Sequence, residues 1–230
     1  MATTFCISHN HDDFHGLIFQ IVQRSLGYTD SQMFKTDQTS PYKDYYYFGE
    51  SQTATEVTNK TTSALKTYLD DQATTDGTSN GLVWQVQGDK SNCIYGDIHN
   101  NEVSDGVRNI DTTLYDKIVS MANSKVIHCT WSDWTHSSWT TTFKNRIEAV
   151  RAANSLPAVS NQTERLKHFS DNMAAITYPS DGKSFVLYQD KIIDKDATHY
   201  TELCSFLGVT TLGTSTWNGY VDAYTSYIAS

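Results

Sequence analysis

The chain has 230 residues, enough for one sizeable domain, and no stretch of it has the composition of a linker between two domains. A formal net charge of -9 without Lys/Arg clusters excludes a binder of duplex nucleic acid, since such proteins contact phosphates through basic patches. No window approaches the ~18 apolar residues of a membrane helix and no secretory signal opens the chain, so we expect no membrane association and a cytoplasmic location.

The first predicted elements are a strand over residues 5–8 and a helix over 17–28, joined by a polar loop. The helix has apolar residues at helical spacing, and Gly27 suits its end. In α/β proteins such a unit binds anions, because the first N–H groups of the helix are unpaired and its dipole is positive there. We therefore predict that this unit supplies four ligand contacts: Ser8, His9, Gly16 and Leu17.

Residues 30–110 form the least regular part, which we interpret as a variable insertion. Within it, 54–72 suits a surface helix, and 82–86 with 93–95 suits a β-hairpin. The remaining predicted elements alternate between helix and strand: helix 111–121, strand 125–129, helices near 141–153 and 162–174, strand 184–188, and helix 197–207 with its end at Gly208.

This alternation predicts a single α/β domain over 1–230, with a mostly parallel sheet in three layers and helices on both faces. Ligands of such sheets bind at the carboxyl ends of the strands, which selects the loops 9–16, 130–138 and 189–196. We predict further ligand contacts from one strand end and from the loop that follows it: His128, Ser132, Ser137 and Ser138.

Several residues of these segments also have simpler interpretations. The serines are ordinary helix-start residues as well as phosphate ligands. We expect Trp131, Trp134 and Trp139, which share one loop with His136, to pack rather than to form a wall for a base or sugar, because exposed tryptophans need cover. Asp190 and Asp194 suit a solvated turn. The four cysteines suit buried, reduced thiols: Cys6, Cys93, Cys129 and Cys204.

Three segments resemble the sulfotransferase branch of the P-loop nucleotide-binding fold. They are the strand–loop–helix unit at 5–28, residues 125–130 with the Trp-rich loop after them, and residues 186–209, within which 203–208 read LCSFLG. The resemblance implies that fold and the cofactor 3′-phosphoadenosine-5′-phosphosulfate. It places the phosphosulfate end at the first loop and the 3′-phosphate at the second.

Departures from that family fall on the residues that hold phosphates. The first loop lacks the Lys/Arg and the Gly-Thr pair of the family's phosphate loop. His128 stands where the family has the arginine for the 3′-phosphate, and only Ser137 or Ser138 stands near the position of its serine. A carboxylate pair beside a polyanion costs energy unless a cation intervenes.

The first loop also carries a possible metal site. Imidazole and carboxylate groups at close spacing are the ligands of zinc and similar ions. The pattern is similar to the histidine motif of metallo-β-lactamases shifted by one residue, with Phe14 where that family has histidine. The other interpretation is a polar loop in which Asp12 or Asp13 caps the next helix. The four potential ligands are His9, His11, Asp13 and His15.

The sequence leaves three functions open. The first is a sulfotransferase-like protein that binds a nucleotide or small anion and, if active, transfers a sulfuryl group with His11 or His15 as general base. The second is a catalytically inactive structural or interaction protein on the same fold. The third is a metal-dependent hydrolase built on the first loop. The Asn-, Thr- and Tyr-rich composition also resembles proteins of tailed phages, which would place the chain in host cytoplasm or virion.

Overall fold

The computed structural model describes residues 3–8, 15–28, 83–85, 92–96, 110, 112–120, 123–138 and 174–228. Five strands lie in this part: β1 Thr4–Ser8, β2 Val83–Gln85, β3 Asn92–Gly96, β4 Ser124–Thr130 and β5 Ser184–Tyr188. Five helices accompany them: α1 His15–Ser25, α2 Thr112–Ser120, α3 Gln189–Ile193, α4 Ala197–Leu207 and α5 Thr214–Ile228.

The strands form one sheet in the order β2-β3-β1-β4-β5. β3, β1, β4 and β5 run parallel, and β2 pairs antiparallel with β3, which confirms the α/β class and the predicted hairpin. From β1 the chain leaves toward β2 and β3, whereas from β4 it leaves in the opposite direction toward β5. The switch point of the sheet, where α/β folds bind ligands, therefore lies between β1 and β4.

One face of the sheet, here called the apolar face, packs against α1, α4 and α5. Phe206 of α4 lies between two strand residues, with ring centroids 6.2 Å from Phe5 and 5.4 Å from Phe185. Further out, Trp217 of α5 stacks on Tyr200 of α4 at 4.5 Å. Burial of each such side chain contributes about 1.5–3 kcal/mol. The fully buried strand residues of this face are Phe5, Ile7, Cys93, Ile127, Cys129 and Leu187.

The opposite face, here called the polar face, carries the alternate residues of the same strands. Ser8, His128 and Thr130 lie on it and are buried. Helix α2 covers it, with Tyr115 and Ile118 buried toward β4. The described part of the sheet therefore has helices on both faces, with hydrogen-bonding side chains concentrated on one.

Two predicted helix ends at glycine residues are confirmed. Gly27 and Gly208 have φ values of 82° and 73°, the left-handed conformation that glycine adopts without strain. Behind them, the N–H of Tyr28 donates to Gln23 O, and the N–H of Val209 donates to Cys204 O. Both are hydrogen bonds of the Schellman type, which satisfy carbonyls at the end of a helix.

The segment 189–196, predicted as a loop, contains helix α3, so the solvated turn expected for Asp190 is wrong, whereas Asp194 lies exposed in a turn as expected. Gln189, Asp190 and Ile192 are buried, and the Asp190 carboxylate accepts a hydrogen bond from the Ser132 N–H. Helix α5 follows no prediction from the sequence. The helices predicted over 54–72 and 141–153 lie outside the described residues, as does 162–174 apart from its last residue.

The four cysteines are buried free thiols, as predicted. Burial raises the pKa of Cys6 and of Cys93 to about 12, so both stay protonated and unreactive at neutral pH.

Among the helices that the structure describes, none is both long and apolar enough to span a bilayer.

Candidate functional site at the carboxyl edge of the sheet

The carboxyl ends of β1, β4 and β5 meet at one edge of the sheet, because the three strands are parallel neighbours. The segments that follow β4 and β5 are described at this edge. After β1, residues 9–14 lie outside the described residues, so the roles of His9, His11 and Asp13 stay predictions. His15 and Gly16 are the first residues of α1, which begins two residues before the predicted helix start at 17, and their contact with an anion stays a prediction. Leu17 is fully buried, so its side chain belongs to the core and a ligand contact of its backbone N–H stays a prediction.

Ser132 and Asp190 join the segments after β4 and β5. The Ser132 N–H donates to Asp190 Oδ1 at 2.7 Å, and the Ser132 hydroxyl donates to Asp190 Oδ2. Asp190 is only 5% exposed, whereas Ser132 is exposed. Both donors of Ser132 are therefore used by a carboxylate, so the hydroxyl oxygen has only lone pairs left and can only accept further hydrogen bonds.

A second contact of the same kind joins His136 to Asp194. His136 Nε2 lies 3.3 Å from Asp194 Oδ1, and the Ser138 N–H donates to His136 Nδ1 at 3.2 Å. Because Nδ1 accepts, we assign the proton of the neutral ring to Nε2, from which it donates to Asp194. The predicted site residue Ser138 thus has its N–H held by His136, and Ser137 beside it is exposed.

An Asx turn shapes the loop between these two contacts. Asp133 Oδ1 accepts from the N–H of Thr135 at 2.8 Å and from its hydroxyl at 2.6 Å. These hydrogen bonds hold the pKa of Asp133 below its usual value, because they favour the ionised carboxylate. The loop therefore keeps a negative charge at this edge.

Trp131 and Trp134 of this loop pack, as predicted, and Trp139 lies outside the described residues. Trp131 is 2% exposed and belongs to the core of the apolar face, against which Trp134 also packs. The His136 ring lies on Trp131 with centroids 5.7 Å apart. The aromatic residues therefore fix the loop on the sheet, while its polar groups face the edge.

His128 lies opposite Ser8 in the register, two residues before the end of β4. Its side chain is fully buried, and its Nε2 lies 3.3 Å from Ser184 Oγ. Ser184 Oγ is 2.6 Å from the Tyr115 hydroxyl, which donates to Asp181 Oδ2 at 2.8 Å.

The direction of each hydrogen bond among these four side chains follows from the number of protons that each side chain can donate. Tyr115 gives its proton to Asp181, so Ser184 donates to Tyr115, and His128 Nε2–H donates to Ser184. Burial raises the pKa of Tyr115 to about 12, against the opposing hydrogen bond from Ser184. A ligand contact of the buried ring of His128 stays a prediction.

His199 of α4 contacts the residue that precedes α3, Tyr188. The Tyr188 N–H donates to His199 Nε2 at 2.9 Å, and His199 Nδ1 lies 3.2 Å from Glu202 Oε2. The ring is 3% exposed and stacks on Phe185 at 5.5 Å. Burial lowers the pKa of His199, and Lys191 acts in the same direction, so the ring is neutral at pH 7.

Two residues of this edge escaped the sequence reasoning as site residues: Asp190 and His199. The signal for Asp190 was its position just after a predicted parallel strand, where polar side chains meet the neighbouring strand end. No sequence signal pointed to His199, because its hydrogen bond from the Tyr188 N–H depends on how α4 packs against β5.

The 3′-phosphate of the cofactor implied by the resemblance stays a prediction at this edge, where two of the described donor residues already serve carboxylates. A phosphate needs donors or cations, but here Ser132 and His136 direct their protons to Asp190 and Asp194. Within the described ranges, no three His, Cys, Asp or Glu side chains come close enough to hold a metal ion.

Comparisons with other proteins add no relative to this picture. No protein family model, no curated protein and no solved structure matches the chain. The likeness to sulfotransferases therefore remains a proposal.

Proposed function

We propose that the protein binds a nucleotide or another small anion at the carboxyl edge between β1 and β4, on the first turn of α1. The single observation that carries the proposal is the position of β1. It is an inner strand beside the switch point of the sheet, and α1 begins at His15, shortly after β1 ends at Ser8. In that position the N–H groups of Gly16 and Leu17, together with the positive end of the α1 dipole, face a bound anion.

Sulfuryl transfer from 3′-phosphoadenosine-5′-phosphosulfate to a hydroxyl group, with adenosine 3′,5′-bisphosphate as the leaving group, is the reaction class that we propose with this binding, on the resemblance of the three segments. In that reaction His11 or His15 is the general base, since an imidazole of ordinary pKa changes its charge near neutral pH. The backbone N–H groups of Gly16 and Leu17 stabilise charge on the transferring group.

Replacement of one backbone donor tests the binding proposal directly. Gly16→Pro removes the N–H, at a position in the first helical turn where proline is tolerated, and Gly16→Ala keeps it. We expect adenosine 5′-phosphate and pyrophosphate to bind Gly16→Pro about tenfold more weakly than Gly16→Ala, for the loss of one hydrogen bond to a charged group. Calorimetric titration measures both, with circular dichroism as the check on α1. Equal binding by the two variants would overturn the proposal.

The non-catalytic interaction protein is favoured by one observation, namely that donors at the described edge are directed to aspartates of the protein itself. A panel of adenosine nucleotides and pyrophosphate at millimolar concentration that leaves Tm unchanged would support this alternative. Metal analysis of the purified protein tests the hydrolase: stoichiometric zinc, manganese or iron that is lost in His11→Ala would support it.

A further inference from the structure

The carboxyl end of β5 is held on α4 by a histidine ring that accepts a hydrogen bond. The Tyr188 N–H donates to His199 Nε2 at 2.9 Å, and the ring is 3% exposed. We propose that this contact is a pH-sensitive switch, in which protonation of His199 releases the end of β5 and the start of α3 from α4. The switch needs no ligand, so it goes beyond the proposed function and is tested independently of it.

The contact fixes where the neutral ring carries its proton. Because Nε2 accepts from the Tyr188 N–H, we assign the proton to Nδ1, from which it donates to Glu202 Oε2 at 3.2 Å. A protonated imidazole carries an N–H on both nitrogens and has no acceptor left. No rotation of the charged ring restores the hydrogen bond, so protonation of His199 necessarily costs the contact with Tyr188.

The groups on β5 and α3 oppose a positive charge on the ring in its present position. The imidazole stacks on the Phe185 ring with centroids 5.5 Å apart and lies 5.4 Å from the Tyr188 ring. Burial lowers the pKa of His199, and the positive charge of Lys191 on α3 adds to the shift. The ring therefore takes up a proton more easily once the contact is open.

Two carboxylates on the side of α4 attract that charge. Glu202 lies one turn further along α4, with its side chain 59% exposed, and Asp196 caps the helix and accepts from the His199 N–H at 3.1 Å. Both move with His199, because they belong to the same helix and its cap. When β5 moves away, Glu202 stays as the partner of the imidazolium, so the charged form has an arrangement of its own.

Release at Tyr188 reaches the carboxyl edge through the chain itself. Tyr188 directly precedes α3, and Asp190 in the first turn of α3 accepts from the Ser132 N–H at 2.7 Å. The start of β5 is held separately, because the Val126 N–H donates to Lys183 O at 2.8 Å. Protonation of His199 therefore acts on the carboxyl end of β5 and on its connection to the segment after β4, and not on the start of the strand.

Amide hydrogen exchange of the ¹⁵N-labelled wild-type protein from pH 7.5 down to 5 tests the switch. Each rate is divided into the intrinsic rate at the same pH, which gives a protection factor. We expect the protection factor of the Tyr188 N–H to fall at least about tenfold, since the released ring takes up a proton at its ordinary pKa of about 6.5. That of the Val126 N–H should change by less than about twofold. An unchanged protection factor at Tyr188, or an equal fall at both amides, would overturn the inference.

Two variants assign the fall in protection to one histidine. His199→Gln keeps an oxygen that accepts from the Tyr188 N–H and has no titrating group, so its Tyr188 protection factor should change by less than about twofold. His136→Gln is the matched control, because it removes a histidine that contacts Asp194, and it should keep the fall of the wild type. A fall of wild-type size in His199→Gln, or its loss in His136→Gln, would contradict the switch.

Discussion

On the apolar face Trp217 and Tyr200 stack at 4.5 Å over strands of buried aliphatic residues, whereas on the polar face His128, Ser184 and Tyr115 are joined by hydrogen bonds. The first kind of contact needs only apolar side chains of suitable volume. The second needs each donor to meet one acceptor, since a buried polar group without a partner costs free energy. In the described part of the sheet, the hydrogen bonds among His128, Ser184 and Tyr115 therefore restrict which residue types fit, more than the packing of the apolar face does.

The largest effect is expected on the apolar face. Trp217→Ala removes a fully packed indole and leaves a cavity between α4 and α5, so the free energy of unfolding should fall by about 3–5 kcal/mol. Urea denaturation followed by circular dichroism measures it. Trp217→Phe should lose clearly less, because it keeps a ring against Tyr200. A loss below about 1 kcal/mol in Trp217→Ala would contradict the description of this core.

A smaller effect is expected on the polar face. Tyr115→Phe deletes the hydroxyl that receives the Ser184 proton, so the free energy of unfolding should fall by about 1–3 kcal/mol. Asp181→Asn is the matched comparison at the exposed end of the same chain, and it should change stability by less than about 0.5 kcal/mol. Equal losses in the two variants would show that burial does not set the cost on this face.

The smallest effect is a pH dependence from His199. Its pKa is lowered in the folded protein, mainly by burial, with Lys191 adding to the shift and Glu202 and Asp196 opposing it. As pH falls below the ordinary value of about 6.5, the unfolded chain takes up the proton first, so stability is full above that pH and decreases below it.

The matched variant for this pH dependence is His199→Gln. Its side-chain oxygen can accept from the Tyr188 N–H, and it carries no titrating group. Urea midpoints from pH 7.5 down to 5 should fall more steeply for the wild type than for His199→Gln. Parallel curves would show that protonation of His199 is not linked to folding.

The sequence predicts those elements whose signal is local. Strands β1, β4 and β5 are short segments with apolar centres, and the ends of α1 and α4 are marked by Gly27 and Gly208. Helix α5 was missed because it is rich in serine and threonine, although Trp217, Val221 and Tyr224 recur at helical spacing.

The candidate site was predictable only to the level of strand ends. The rule on carboxyl ends of parallel strands selected the segments that hold Ser132 and Asp190. Their hydrogen bonds join residues 58 positions apart, and the Ser184–Tyr115 contact joins residues 69 apart. Such pairs depend on which strands are neighbours in the sheet. The residue types of a single sequence do not reveal that order.

The measurement that tests the central claim most directly is a titration of the ¹⁵N-labelled protein with adenosine 5′-phosphate, followed through backbone amide resonances. Anion binding on α1 predicts saturable shifts of the Gly16 and Leu17 amides with one common dissociation constant. Saturable shifts confined to amides away from the carboxyl edge, or no shifts at millimolar nucleotide, would contradict it.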